Sequence, residues 1–319
     1  TKPYDVPGFD HYAAAAGLEI KYFETRLNAD TVSLASGFDA VCVFVNDTVD
    51  SAVVEKLYEM GVKVIALRCA GFNNVDIRAA SGKLPVYRVP AYSPYAVAEH
   101  AMALLLTINR RTHKAYIRTR DFNFSLQGLA GFDLHGKTVG IIGTGKIGRV
   151  FADICKGFGM NILAYDKFPA ANSGLHYVDL PELFAKSDII SLHCPLTEQT
   201  KYLINDYSIS KMKDGVMIIN TGRGQLIHTN ALIEGLKNKK IGSAGLDVYE
   251  EESEYFYEDQ SDKIIDDDTL ARLLSFNNVI VTSHQAFFTR EALANIASTT
   301  LQNIKDFMNH KPLENEVKA

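Results

Sequence analysis

Short apolar runs alternate with helix-like segments along the first 90 residues of the chain. We predict strands at residues 18–24, 39–45, 62–67 and 85–89. A helix predicted over residues 49–60 places Val53, Val54 and Leu57 on one face. This alternation is typical of parallel β-α-β units. Because the chain opens on a turn and a helix (FDHYAAAA), we expect the opening strand of this domain to be missing from the sequence.

A longer and more regular β-α series begins near residue 138. Its six apolar runs lie at residues 138–142, 161–165, 188–192, 216–220, 242–246 and 279–282. Runs that are short and continuously apolar are expected of parallel strands buried on both faces. Helices are predicted before this series at 94–111 and 112–122, and after it at 290–308. We expect the last helix to end the chain and to return to the first domain, which would then be discontinuous.

Composition excludes several classes of protein. The length of 319 residues suits about two domains. Lys and Arg number 33 against 38 Asp and Glu, and the net charge of −5 argues against a nucleic-acid partner. No run of 18 apolar residues is present, so no membrane span is predicted. Residues 250–268 hold ten acids and one lysine, so the rest of the chain carries a net charge of +4.

The four cysteines lie far apart along the chain and form no C-x-x-C pair. Such spacing in a chain of this length is typical of reduced thiols rather than of a disulfide framework or a zinc site. We therefore expect a cytoplasmic protein without a metal centre.

A glycine-rich motif, G-T-G-K-I-G at residues 143–148, follows the first strand of the second series. A helical run, a second strand and then Asp166 come after it, which is the full context of a dinucleotide fingerprint. Gly143 permits a tight turn, Gly145 lets the backbone approach a pyrophosphate, and Gly148 lets helix and strand pack closely. The helix N-terminus supplies N–H groups and a partial positive charge. Asp166 would accept hydrogen bonds from ribose hydroxyls and repel a 2′-phosphate, which favours NAD over NADP.

Polar side chains follow the third to sixth strands of the second series. They are His193, Arg223, the acidic run 247–252 and His284, in chain order. The carboxyl ends of parallel strands meet at one edge of a sheet, where ligands bind. An arginine can hold a substrate carboxylate, and a histidine beside a carboxylate can exchange the proton on a carbonyl oxygen during hydride transfer with nicotinamide. This combination suits the reduction of a 2-oxo acid.

Spacing selects only some of these groups. His284 precedes two aromatic residues and the last helix, so we expect it to face the cleft between the domains. His193 is expected to be a packed histidine. The arginine is expected to be Arg223, which lies between two glycines. Spacing does not decide which carboxylate lies beside the histidine, because an acidic surface would show the same pattern. The candidates are Glu250, Glu251, Glu252 and Glu254.

Long strings of the sequence resemble one known enzyme family. They include FVND (44–47), IALRCAGFNNVD (65–76), VPAYSPYAVAEHA (89–101), GKTVGIIGTGKIG (136–148), GVMIINTGRG (215–224), GLDVYEEE (245–252) and TSHQAFFT (282–289). On these strings the chain resembles the D-isomer-specific 2-hydroxyacid dehydrogenases, and within them the fermentative, NAD-dependent D-lactate dehydrogenases. The resemblance runs along nearly the whole chain.

The resemblance assigns roles to individual residues. It implies that Arg223, Glu252 and His284 are catalytic. The implied cofactor contacts are Gly143, Gly145, Lys146, Ile147, Gly148, Asp166, Cys194, Pro195, Thr200, Thr221, Gly222, Arg223 and Asp247. The implied substrate contacts are Ala70, Gly71, Phe72, Tyr92, Arg223, His284 and Phe287, with Phe287 or Phe44 closing the pocket over a small methyl group. Gly222 departs from the family pattern, which usually has serine before this arginine.

The resemblance also implies a fold and a reaction. The fold is a Rossmann doubly wound parallel sheet, residues 93–288, inserted into a smaller flavodoxin-like substrate domain, residues 1–92 and 289–319. The reaction is reversible hydride transfer between NADH and pyruvate, giving D-lactate. The alternatives are a dehydrogenase that prefers a bulkier 2-oxo acid and an NAD-sensing binding protein without enzymatic activity. A homodimer or homotetramer is implied, with the helices of residues 94–126 as its arm.

Overall fold

The structure is a computed structural model that describes residues 1–252, 255–311 and 314–318. The chain forms two compact units. Unit 1 consists of Thr1–Ser93 with Phe288–Ala319, and unit 2 consists of Pro94–Phe287. Among the described residues, none of the helices has both the length and the hydropathy of a transmembrane segment.

Unit 1 is built on a three-stranded parallel sheet. Its strands β1 (Ala40–Val43), β2 (Val64–Leu67) and β3 (Val86–Tyr87) lie side by side in that order. Its helices include α1 (Val6–Ala16), α2 (Ser51–Glu59), α3 (Ile77–Ala80) and α11 (Arg290–Met308). These strands confirm three of the four predicted for this region, and the predicted face of α2 is buried.

Residues 18–24, predicted as a strand, form no regular element and pair with no strand among the described residues, so that prediction is wrong. The side chains of Leu18, Ile20 and Tyr22 instead pack against an apolar cluster on α1 and α11. The alternating pattern of this segment therefore reflects burial against helices. A strand forms only where a neighbouring strand supplies hydrogen-bond partners.

The expectation that α11 ends the chain is also wrong. After this helix, Glu316 forms an antiparallel bridge with Tyr87 of β3. Two further backbone hydrogen bonds, 3.1 and 2.8 Å long, join residues 315–317 to residues 86–88. The segment was missed because its sequence (ENEVK) has no apolar run.

Unit 2 is built on a six-stranded parallel sheet. Its strands are β4 (Thr138–Ile142), β5 (Asn161–Tyr165), β6 (Ile189–Leu192), β7 (Val216–Asn220), β8 (Ile241–Leu246) and β9 (Val279–Val281). They lie side by side in the order β5-β4-β6-β7-β8-β9. All six predicted strands are confirmed, each within one residue at either end. The helices include α4 (Pro94–Arg110), α5 (Thr112–Arg120), α6 (Lys146–Gly157), α7 (Leu180–Lys186), α8 (Asp206–Lys211), α9 (Thr229–Lys237) and α10 (Asp268–Leu274).

Helices cover both faces of this sheet. Alternate residues of one strand, such as Met217 and Ile218, belong to two different apolar clusters. One cluster includes α4 and α6, and the other includes α8, α9 and α10. This doubly wound arrangement confirms the predicted fold class. The strand order reverses between β4 and β6, and in such sheets the ligand crevice lies at the carboxyl ends of the strands at this reversal.

Candidate active site

In the turn after β4, no side chain caps the first N–H groups of α6. Gly143 has a φ of 95°, which glycine adopts readily. A Cβ at Gly148 would lie 1.9 Å from the Gly143 oxygen, so the helix can approach the strand only without a side chain there. Gly145 caps α6 without a side-chain hydrogen bond, and nothing lies within 4 Å of where its Cβ would be. The first N–H groups of α6, which include those of Lys146 and Ile147, can therefore bind an anion.

Asp166 lies immediately after β5 with its carboxylate held by three donors. Its Oδ2 accepts from the Thr144 N–H at 2.6 Å and from the Thr144 hydroxyl at 3.1 Å. Its Oδ1 accepts from the Phe168 N–H at 2.9 Å. The carboxylate is thus fixed beside the glycine turn, in the place that the dinucleotide fingerprint requires for a ribose contact.

His193 follows β6 and is packed, as predicted. Its Nε2 is 2.8 Å from the Ser191 Oγ, and its ring lies 4.9 Å from the ring of Phe151. Burial lowers the pKa of His193 to about 4. The imidazole is therefore neutral at physiological pH.

Hydrogen bonds from its own side chains hold the turn after His193 together. The Thr200 hydroxyl donates to the Pro195 oxygen at 2.7 Å and accepts from the Thr197 N–H at 2.8 Å. Burial raises the pKa of the Cys194 thiol to about 11, which keeps it protonated. A Cβ at Gly143 would lie 2.4 Å from the Cys194 nitrogen, so this turn lies directly against the glycine turn.

The loop after β7 presents Arg223. Asn220 is buried at the strand end, where its Nδ2 donates to the Arg223 oxygen at 2.9 Å and its Oδ1 accepts from the Gly222 N–H at 3.0 Å. The Arg223 Nη1 donates to the Gly222 oxygen at 2.8 Å. Among the described residues, no carboxylate lies within 4.0 Å of its guanidinium. A cation with a fixed backbone and no internal counter-charge suits an anionic ligand.

Close packing ties this loop to the segment after β8. A Cβ at Gly224 would lie 2.0 Å from the Tyr249 oxygen, so only glycine fits there. A Cβ at Gly222 would lie 3.3 Å from Leu226, a tight contact at the position where the family usually has serine. The Thr221 hydroxyl is buried and has no hydrogen-bond partner among the described residues. It is therefore available to a ligand.

The structure pairs His284 with Glu252. The His284 Nδ1 is 2.7 Å from the Glu252 Oε1, and the two side chains are 17% and 22% exposed. The second oxygen of Glu252 accepts from the Tyr249 N–H at 3.0 Å. The carboxylate can therefore stabilise a protonated imidazole. Spacing alone could not choose Glu252 from its neighbours.

The other acidic candidates lie elsewhere. Glu250 accepts from the Thr229 hydroxyl at 2.8 Å and from the Thr229 N–H at 3.2 Å, which places it at the start of α9. The Tyr202 hydroxyl also donates to Glu250. Glu251 is exposed, and Glu254 lies outside the described residues.

Asp247 supports the loop that carries His284. The carboxylate is fully buried, and it accepts from the N–H groups of Gln285 and Ala286 at 2.9 and 2.8 Å. The Asp247 carbonyl oxygen accepts from the His284 N–H at 2.7 Å. Its predicted contact with the cofactor stays a prediction.

Sequence reasoning missed several residues around this centre. The Tyr257 ring lies 5.8 Å from the His284 ring, and its hydroxyl donates to the His284 oxygen at 3.4 Å. Asn220 and Thr282 also shape the loops described above. A polar residue at the end of an apolar strand is a signal that could have found Asn220, but nothing in the acidic segment separates Tyr257 from its neighbours.

In unit 1, the backbone of residues 70–72 is hydrogen-bonded through its oxygens and, among the described residues, not through its N–H groups. Their carbonyl oxygens accept from the Arg88 Nη1 at 3.1 Å, the Cys69 Sγ at 3.2 Å and the Val75 N–H at 3.1 Å. Within the described part of the chain, the N–H groups of Ala70, Gly71 and Phe72 have no acceptor. Successive free N–H groups are a common anion-binding feature.

The remaining predicted substrate contacts are partly or wholly buried in their own units. In unit 1, the Tyr92 oxygen accepts from the Asn295 Nδ2 at 2.7 Å. Phe44 is buried, and the centre of its ring lies 3.9 Å from the Arg68 Cζ. In unit 2, Phe287 is buried.

Comparison with known proteins identifies the family. The profile of the family described as D-isomer specific 2-hydroxyacid dehydrogenase, NAD binding domain, matches residues 102–286. The D-lactate dehydrogenase of Escherichia coli is 53% identical over 321 residues, covering 99% of this chain and 98% of the relative. The solved pyruvate reductase of Chlamydomonas reinhardtii matches with a TM-score of 0.93 and 45% identity, over 99% of this chain and 96% of its own. The D-lactate dehydrogenase with NAD+ from Lactobacillus jensenii matches with a TM-score of 0.84 and 31% identity, over 100% of this chain and 98% of its own.

These matches agree with the local geometry of unit 2. The glycine turn, the open N-terminus of α6 and the fixed Asp166 fit a dinucleotide, and all of them lie within the matched residues. The cofactor is therefore NAD, as predicted. The chain belongs to the D-isomer-specific 2-hydroxyacid dehydrogenase family.

Proposed function

We propose that this enzyme is an NAD-dependent D-lactate dehydrogenase, which interconverts pyruvate and D-lactate. The observation that carries the proposal is the pair formed by His284 and Glu252, with 2.7 Å between Nδ1 and Oε1. A proton donor of this kind is what the reduction of a ketone requires. The activity named for the Escherichia coli relative, which matches nearly the whole chain, supports the same reaction.

His284 is the acid and base of this reaction. Its Nδ1 is engaged by Glu252, so Nε2 is the nitrogen that gives a proton to the substrate oxygen during reduction and takes it back during oxidation. Glu252 keeps the imidazole in this orientation and stabilises its protonated form. As a positioning partner, Glu252 acts through His284.

Two groups would bind the substrate carboxylate. Arg223 offers a planar guanidinium with several N–H donors, and no described carboxylate neutralises it. The free N–H groups of Ala70, Gly71 and Phe72 are the second group. Tyr92 is assigned to the same substrate by the family resemblance.

The cofactor would be held by residues of unit 2. Bound NADH supplies the hydride that reduces the substrate carbonyl. The N–H groups at the start of α6 (Lys146, Ile147, Gly148) would bind the pyrophosphate, and Asp166 the ribose. The remaining assigned contacts are Gly143, Gly145, Cys194, Pro195, Thr200, Thr221, Gly222, Arg223 and Asp247.

The proposal also includes a preference for pyruvate over bulkier 2-oxo acids. Phe287 or Phe44 is assigned to the substrate's methyl group, and a bulky aromatic ring there would disfavour longer side chains. Relative kcat/KM for pyruvate, 2-oxobutyrate, 2-oxoisocaproate and phenylpyruvate with NADH tests this. We expect pyruvate to give the highest value. A higher value for 2-oxoisocaproate or phenylpyruvate would instead support a dehydrogenase for bulkier 2-oxo acids.

A homodimer or homotetramer belongs to the same proposal, with the helical arm of residues 94–126 as the contact. Large apolar side chains are exposed on this arm, and Phe122 is 84% exposed. Exposed apolar surface of this kind commonly marks a protein interface. Light scattering of the wild type and of Phe122→Ser tests whether the arm forms the contact, and a larger monomer fraction is expected for the variant.

A cytoplasmic location is also proposed, because all four cysteines are free.

A further inference from the structure

The loop that carries His284 is held by one buried carboxylate. The Asp247 Oδ1 accepts from the Gln285 N–H at 2.9 Å, and its Oδ2 accepts from the Ala286 N–H at 2.8 Å. The Thr282 hydroxyl donates to Oδ1 at 2.5 Å. These bonds fix the residues on both sides of His284, whose φ of 52° is uncommon for a residue with a side chain.

A second histidine reaches this carboxylate from outside the loop. His100 lies on α4, and its Nε2 is 3.1 Å from the Thr282 Oγ1 and 3.3 Å from the Asp247 Oδ1. The Thr282 hydroxyl gives its only proton to Asp247, so its oxygen accepts from His100. The Nε2 of His100 therefore carries a proton, and the imidazole acts as a donor to the pair.

Within the described part of the chain, His100 is the only donor to this carboxylate that lies on a helix. Among the described residues, the other side-chain and backbone donors to the Asp247 carboxylate all belong to residues 282–286, the loop that it holds. A buried carboxylate depends on each of its donors, because no water replaces a lost one. Without His100, this carboxylate would keep only donors from the loop itself.

We propose that His100 is a positioning residue for His284. It fixes Asp247 and Thr282 from α4, and through them it fixes the backbone that aims the His284 imidazole. This role rests on the proposed function, in which His284 exchanges the substrate proton.

The test compares four single variants of the enzyme and the double variant that combines His100→Leu with Thr282→Val. His100→Leu removes the donor, and His100→Gln keeps an amide N–H at a similar reach. Thr282→Val removes the hydroxyl that links His100 to Asp247. His176→Gln is the control, because the His176 residue is exposed and makes no side-chain hydrogen bond within the described part of the chain.

Two quantities are measured. The first is kcat for pyruvate reduction, together with KM for pyruvate at saturating NADH and KM for NADH at saturating pyruvate. We expect His100→Leu to lower kcat between about 10-fold and 100-fold, with a KM for NADH close to that of the wild type. The second is amide hydrogen exchange of the peptide that contains residues 282–287, measured without substrate or cofactor. We expect exchange at least about 10-fold faster in His100→Leu and in Thr282→Val.

The outcomes separate positioning from general stability. Substantial recovery of kcat and of slow exchange in His100→Gln supports the proposal. So does non-additivity, in which Thr282→Val lowers kcat little further when His100→Leu is already present. A folded His100→Leu enzyme with wild-type kcat and exchange overturns it. If His100→Leu does not fold, wild-type kcat in Thr282→Val overturns it equally. A wild-type enzyme that does not reduce pyruvate would instead contradict the proposed function.

Discussion

Two histidines follow strands of the same sheet, and their surroundings differ. His193 comes after β6, and its ring lies 4.9 Å from that of Phe151. Burial lowers its pKa to about 4, and no carboxylate pairs with it among the described residues. His284 comes after β9, remains 17% exposed, and lies 2.7 Å from a Glu252 oxygen.

The difference shows that a place at the carboxyl edge of the sheet does not make a histidine an acid. A buried imidazole without a charged partner stays neutral and gives no proton. An imidazole that is partly exposed and held by a carboxylate can take up and release a proton during a reaction. The charge partner therefore separates the two, and it can be altered by mutation.

The largest effect is expected from His284→Asn. Asparagine cannot donate and recover a proton at neutral pH, so kcat in both directions should fall by at least about 100-fold. The measurement is steady-state turnover of pyruvate with NADH and of D-lactate with NAD+. His176→Asn, at an exposed histidine, should keep wild-type kcat. Near-normal turnover in His284→Asn would end the assignment of this histidine as the acid and base.

Glu252→Gln removes the charge partner that distinguishes His284 from His193. The neutral amide replaces a charge-assisted hydrogen bond with a weaker one, so we expect kcat for pyruvate reduction at neutral pH to fall about 10-fold. The measurement is steady-state turnover of pyruvate at saturating NADH. A wild-type kcat would show that the charge of Glu252 does not support this imidazole.

His193→Phe tests the histidine that has no charge partner among the described residues. A histidine whose pKa is lowered from 6.5 to about 4 by burial binds protons more readily in the unfolded chain. The free energy of unfolding of the wild type should therefore decrease as the pH falls from 6.5 towards 4. Between pH 7 and pH 5 this histidine should account for a loss of about 2 kcal/mol. Urea unfolding at both pH values measures it.

The phenylalanine variant has no such proton to bind. Its free energy of unfolding should lose about 2 kcal/mol less than that of the wild type over the same pH interval. Equal losses in the two proteins would mean that His193 is protonated as easily in the folded state as in the unfolded chain.

The smallest effect is expected from Glu250→Gln, two residues before Glu252. Glu250 accepts from Thr229 and Tyr202 and does not touch His284. The loss of its charge should lower the free energy of unfolding by about 1 kcal/mol, the usual scale for one weakened hydrogen-bond group. The kcat of pyruvate reduction should match that of the wild type. A kcat lowered as in Glu252→Gln would mean that both acids act on the imidazole.

Strands could be predicted from the sequence where their apolar residues are buried by the helices on both faces of the sheet. The six strands of unit 2 are continuous apolar runs between turn residues, and each was located within one residue. Residues 18–24 were wrongly predicted as a strand because alternation of apolar residues also arises when an irregular segment packs on helices. Residues 315–317 were missed because backbone pairing with β3 needs no apolar side chain.

The types of residue in the site could be predicted from the sequence, but the hydrogen bonds between them could not. Strand ends pointed to Arg223 and His284, while the choice of Glu252 needed the family resemblance and its contact needed the structure. The bonds among His100, Asp247 and Thr282 join residues far apart in sequence, and no periodicity records such contacts. A short-range pattern cannot predict hydrogen bonds that depend on how loops from three elements meet.

The most direct test of the central claim is the chirality of the product. The purified enzyme is incubated with pyruvate and NADH, NADH oxidation is followed by absorbance, and the lactate is resolved by chiral chromatography. The account predicts one D-lactate for each NADH oxidised. L-lactate as the product, or no oxidation of NADH by pyruvate, would contradict it.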